Sequence, residues 1–146
     1  MIEIIFKGKR KDNREWIEGS LITSINRAWI SSEKTDSQRL RSISNTDAIW
    51  RAIEIIPDTI CRFTGRYDKN RKKIWENDIF QYTDETMVTQ KDLIEYNETH
   101  ASFVRLRNTE KLGLRYLWID EATCNHGEVI GNIFDNPELL QEESDE

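Results

Sequence analysis

The chain of 146 residues is 33% charged and 37% hydrophobic, enough for one compact domain or two small ones, and no apolar run approaches the ~20 residues that a membrane-spanning helix needs. Its net charge of −6 is unevenly split: residues 1–73 hold 16 Lys and Arg against 10 Asp and Glu, whereas residues 74–146 hold 5 against 17. Such an asymmetry suits either a basic surface for nucleic acid or two surfaces that attract each other, within one chain or between copies.

The N-terminal MIEIIFKGKRK places its cations after the apolar residues and lacks a small-residue cleavage site, which reads as a first strand rather than a secretion signal. IEIIF (residues 2–6) is that strand, REWIEGSLITS its hairpin partner, and Gly8 with the Asp12-Asn13 pair supplies the turn. RAWIS (residues 27–31) is a third short strand, followed by the polar SSEKTDSQRLRSISN, a surface loop. NTDAIWRAIEII opens with a helical turn capped by Asn45 or Thr46 and is stopped by Pro57. TICRF (residues 59–63) is extended, and Gly65 takes a positive φ at a corner.

In the segment FTGRYDKNRKKIWENDIF (residues 63–80), Asp68-Lys69-Asn70-Arg71 is a turn, because Asp and Asn side chains bond their own backbone. Ile74 and Ile79 are core anchors and Trp75 is at least half buried. Glu76 and Asp78 flank Asn77, where a carboxylate accepting exposed backbone amides is favoured over acid–base or metal chemistry, no third ligand being adjacent.

DIFQY, DLIEYN, SFVRLR, RYLWID and EVIGNIF then read as five strands joined by the turn-rich TDET, NETH, NTEKLG and EATCNHG. Five short strands over about 60 residues suggest a small, strongly bent antiparallel barrel. DNPELLQ closes with one helical turn, Pro137 at its first position, and Glu142, Glu143, Asp145 and Glu146 form an acidic, solvated tail.

Four landmarks, FKGKRKDNREWIEGSL, EIIPDTICRFTG, DKNRKKIWENDIF and EVIGNIFDNPELL, resemble in order and spacing the YopX-like family of phage and prophage proteins. The resemblance implies a mainly β protein with a C-terminal SH3-like barrel, a phage genome context in the bacterial cytoplasm, and oligomers. It implies no reaction. The expected organisation is an N-terminal β-rich region over residues 1–61, the barrel over 62–140 and the tail over 141–146. Gly65, Asp68, Asn70, Ile74, Trp75, Glu76, Asp78, Gly131, Asn132, Asn136 and Pro137 are architectural positions on this reading. Family members commonly carry glycine where this chain has Arg14, Arg71 and Asn77; Asn tolerates left-handed φ, so the two arginine turns either change type or shift the strain to Asn13 and Asn70.

Chemistry-bearing groups are few. In Cys124-Asn125-His126 the thiol and imidazole would give a Cys–His metal pair, with Cys61 or His100, or a nucleophile–base pair by themselves, yet structural zinc wants four ligands in recognisable pairs and one pair is present. No nucleophile elbow or glycine-rich phosphate loop occurs, so no catalytic residue, metal or cofactor is expected. Two cysteines without repeat spacing imply free thiols in an intracellular protein. The basic stretches Lys7, Lys9, Arg10, Lys11 and Arg66, Lys69, Arg71, Lys72, Lys73 are candidate phosphate contacts, with five tryptophans as stacking surface. Solvated turns and core tryptophans account for the same residues, and the acidic half repels a duplex. The sequence therefore favours a non-enzymatic accessory protein that acts through self-assembly into a homo-oligomer and contact with a host or phage protein; nucleic-acid binding through the basic turns is the alternative.

Overall fold

The computed structural model of the protein describes residues 4–32, 52–109 and 112–140. The expected loop after Ser32, the capped turn at Asn45 and Thr46, Trp50 and the tail lie outside the described residues. The fold is mainly β, built from antiparallel sheets, and the chain divides into two units, Met1–Phe63 and Thr64–Glu146.

In the first unit β1 (Phe6–Lys9), β2 (Trp16–Thr23), β3 (Ala28–Ser31) and β4 (Ile53–Ile55) pair in the order β4-β3-β2-β1. The free side of β1 takes the start of β5 (Cys61–Tyr67), with Phe6 opposite Arg62 and Lys7 opposite Cys61. Cross-strand pairing of Leu21 with Ile30 and of Ala28 with Ile55 assembles the core, completed by Ile17 and Ile60. Ile30 and Ile55 are fully buried, which stabilises the unit by about 1.5–3 kcal/mol for each such side chain.

Three local expectations change. The first strand is FKGK rather than IEIIF: its register sets Phe6–Lys9 against Trp16–Gly19 and leaves Ile4 78% exposed. Gly8 is accordingly a strand residue lying against Ile55, not a turn residue. Ile53–Ile55, at the end of the segment read as opening with a helical turn, is a strand because Ile53, Glu54 and Ile55 find their backbone partners on β3. Non-local pairing with an apolar neighbour overrides local propensity. A 3-10 turn at Pro57–Thr59 follows, and the Thr59 hydroxyl accepts the Lys9 amide at 2.8 Å while donating to the Ile56 carbonyl at 2.6 Å.

The second unit contains β6 (Lys73–Trp75), β7 (Asp78–Thr83), β8 (Thr89–Asn97), β9 (Ser102–Thr109), β10 (Gly113–Trp118), helix α1 (Glu121–His126) and β11 (Glu128–Asn132). Five of these strands form one sheet in the order β10-β9-β8-β7-β11, with β10 and β11 at its edges, so the ladder is open rather than a closed barrel. One core packs Ile74, Phe80, Ile94 and Cys124 with Tyr82, Ile119 and Val129. EATCNHG, expected as a turn, contains α1: Asp120 caps it by accepting the Thr123 amide at 2.6 Å, and Gly127 ends it where a Cβ would run into the Phe80 ring. The closing turn is a 3-10 turn, Pro137–Leu140, beginning at Pro137 as read from the sequence.

Candidate functional site

The two turn aspartates singled out in the sequence, Asp68 and Asp78, accept backbone amides. Asp68 is buried; one carboxylate oxygen accepts the Asn70 amide at 2.8 Å and the Lys72 amide at 2.9 Å, the other the Val129 amide at 3.0 Å. With the Lys69 amide donating to the Gly127 carbonyl at 3.0 Å, this pins the β5–β6 turn to the segment that leads from α1 into β11. Asp78, 2% exposed, accepts the Trp75 amide at 2.8 Å, and Asn77 between them takes φ 72°. Ile74 and Ile79 are fully buried and Trp75 is 5% exposed, whereas Glu76 is half-buried. Gly65 has the expected positive φ, 84°. Gly131 backs onto the Asn136 side chain, and Asn132 closes the last turn by accepting the Phe134 and Asp135 amides at 3.0 and 2.9 Å.

The two arginine turns keep their type. Arg14 and Arg71 hold φ 62° and 63° themselves rather than passing the strain to Asn13 and Asn70. Each costs roughly 1 kcal/mol relative to glycine, because a Cβ in this region crowds the backbone.

The basic stretches differ in how far their charge is used. In the first unit Arg10 forms a two-point pair with Asp12 at 2.9 and 2.7 Å, and Lys11 lies 3.4 Å from Glu54, which also takes Arg27 at 3.0 and 2.6 Å. Hydrogen bonds from Arg27, and then from Lys11, pull the Glu54 carboxyl from its ordinary 4.5 down to about 2. The ammonium groups of Lys7 and Lys9 stand 4.5 and 5.4 Å from the Trp16 ring. In the second unit Lys69 reaches Glu128 at 4.0 Å and Lys73 is half-buried. Arg66, Arg71 and Lys72 are exposed, with no side-chain ion pair among the described residues.

Cys124 and His126 are not assembled into a pair. Two residues apart on a helix, their side chains diverge by about 200°: Cys124 enters the core, while exposed His126 donates its Nδ1 proton to the Ala122 carbonyl at 2.7 Å. Burial pushes the Cys124 thiol up, away from thiolate. Cys61 is buried in the first unit and His100 lies against Trp118, ring centroids 5.9 Å apart.

Two features escaped sequence reasoning. Asp92, with no exposed surface, is held by Arg107 through both carboxylate oxygens at 2.7 and 2.9 Å and by Arg105 at 2.8 Å; Arg105 also donates to the Trp118 carbonyl at 3.0 Å. The signal was Arg105 and Arg107 at strand spacing, which puts them on one face with Asp92 across the ladder. The second feature is the outer face of the sheet. One apolar row crosses four strands as Ile79, Leu93, Leu106 and Tyr116, running from the fully buried Ile79 to Tyr116, 49% exposed on the edge strand. Leu114 and Trp118 flank Tyr116 on that face and are 56% and 63% exposed. Trp118, expected in the core, is thus a surface residue, because among the described residues no strand lies beyond β10. The alternation LRYLW was the available signal.

No helix among the described residues is long and apolar enough to cross a membrane. A search of curated proteins finds no match. The chain is similar in structure to protein EF1440 from Enterococcus faecalis, a crystal structure, with TM-score 0.55 and 20% identity over 97% of this chain and 100% of the other, a likeness of fold. The sequence pattern of the YopX protein family matches residues 5–141. On that match the chain belongs to the YopX family.

Proposed function

We propose that this protein is a non-enzymatic phage or prophage accessory protein of the bacterial cytoplasm that works by self-assembly and, in the assembled state, by contact with a host or phage protein. The observation that carries this reading is the β10 edge, where Leu114, Tyr116 and Trp118 continue the apolar row outward on a strand whose outer side pairs with no other strand among the described residues. Exposed apolar edges of this kind recruit another strand. The occupant is a second copy: antiparallel β10–β10 pairing centred on Tyr116 sets Leu114 across from the second copy's Trp118 and Arg115 across from Leu117, so no like charges meet. A non-enzymatic role is supported by the turn carboxylates of Asp68 and Asp78, which are occupied by backbone amides, and by the buried, protonated Cys124. The two free, buried thiols suit a reducing compartment.

We also read the second unit as SH3-like. Its support is the strand order, in which the first strand, β7, lies between the second and the fifth, and the helical turn α1 between the fourth and fifth strands.

Sedimentation velocity over a wide concentration range tests the assembly. Wild-type protein is expected to shift from monomer to dimer or larger, and Trp118→Lys to remain monomeric with an unchanged circular dichroism spectrum. A wild-type protein that stays monomeric at the highest concentration overturns the proposal.

A further inference from the structure

A cleft of about 550 Å³ in the second unit is lined by Tyr67, Asp68, Lys69, Arg71, Glu121 and Asn125. One wall is the β5–β6 turn, held in place by the Asp68 hydrogen bonds; the other is the outer face of α1, where Glu121 and Asn125 stand four residues apart and so point the same way. Asp68 spends its carboxylate on backbone amides and belongs to the scaffold. Arg71, Glu121 and Asn125 are exposed and make no side-chain hydrogen bond or ion pair with described residues, although they face one cleft. Tyr67 adds a ring that is 45% exposed. Arg71 occupies a left-handed turn position at φ 63°, where glycine would be relaxed, so the chain retains a strained arginine at the cleft.

We infer that this cleft binds a nucleotide, the phosphate held by Arg71 with Lys69, the base lying on Tyr67 and its edge read by Glu121 and Asn125. The volume lies in the range of small-ligand pockets. A guanidinium fork matches phosphate, and an aromatic face stacks on any base. The Glu121 carboxylate accepts two parallel N–H donors, which among the bases selects guanine, and the Asn125 amide can both donate and accept. The same chemistry is offered by a free nucleotide and by a base with its phosphate in a single strand. This site is separate from the β10 edge and does not rest on the self-assembly reading.

Calorimetric titration of the full chain with guanosine monophosphate, cytidine monophosphate and a short guanine-containing single-stranded oligonucleotide tests it. Guanosine monophosphate or the oligonucleotide is expected to bind saturably and cytidine monophosphate to bind more weakly. Tighter binding of the oligonucleotide assigns the strand as the source; equal or weaker binding assigns the free nucleotide. Arg71→Gly is expected to weaken binding about tenfold or more while raising Tm by about 4 °C, since it removes the phosphate contact and the strain together. Glu121→Gln is expected to erase the preference for guanine. Absence of saturable binding by any of the three ligands, or an Arg71→Gly variant that binds as well as wild type, overturns the inference.

Discussion

Trp118 lies directly across the β9–β10 ladder from Val104, yet Val104 is 2% exposed and Trp118 63%. The two side chains share a face and differ in neighbours: Val104 has strands on both sides, Trp118 on one. An apolar sheet face therefore runs to the edge strand of the second unit's sheet and is left uncovered there by the described residues, which is the physical basis for proposing a second copy at that edge.

Beneath that face the sheet is held by charge. Asp92 satisfies two buried guanidinium groups at once, and Asp92→Asn is expected to cost about 3–5 kcal/mol in urea unfolding, because it leaves Arg105 and Arg107 without their counter-charge. Replacing the trio together, Asp92→Leu with Arg105→Leu and Arg107→Met, is expected to recover most of that loss, since desolvation of all three charges disappears. A single Asp92→Asn variant as stable as wild type would show that the pair contributes little.

Arg14 makes the opposite prediction. It is exposed, with φ 62°, and Arg14→Gly is expected to raise stability by about 0.5–1 kcal/mol, strain relief being partly offset by the freer unfolded chain. Asn13→Gly, which removes the side-chain oxygen that accepts the Glu15 amide at 2.9 Å, is expected to lower it. Thermal unfolding of the two variants side by side decides whether the turn has the type described.

Acid should reach the first unit through Glu54. Its folded-state carboxyl titrates near 2 against an ordinary 4.5, so its stabilising pairs with Arg27 and Lys11 are fully present above pH 4.5 and fade as pH falls from 4.5 to 2. Glu54→Gln is expected to flatten that part of the stability–pH curve while leaving neutral-pH unfolding cooperative. An unaltered acid limb in the variant would assign the acid sensitivity to other carboxylates.

Features set by neighbouring residues were legible in the sequence. The Asp68 and Asp78 turns, the positive φ of Gly65 and the 3-10 turn at Pro137 each follow from side chains bonding or constraining their own backbone. Features set by distant pairing were not. Ile53–Ile55 is a strand only because β3 lies beside it, Phe6–Lys9 replaces IEIIF because of its register with β2, and the exposure of Trp118 depends on β10 being last in the ladder. The burial of Arg105 and Arg107 likewise depends on Asp92, ten or more residues away in the chain, which no local pattern announces. Helix α1 was hidden by its brevity, although the spacing of Asp120 and Thr123 is that of a cap.

The measurement that bears most directly on self-assembly is intermolecular cross-linking at the proposed centre of the edge pair. Tyr116→Cys under mild oxidation is expected to give a disulfide-linked dimer rapidly, because the pairing sets residue 116 of one copy against residue 116 of the other, while Glu98→Cys, exposed in the β8–β9 turn, links slowly. Equal rates at the two positions would contradict the β10–β10 assembly.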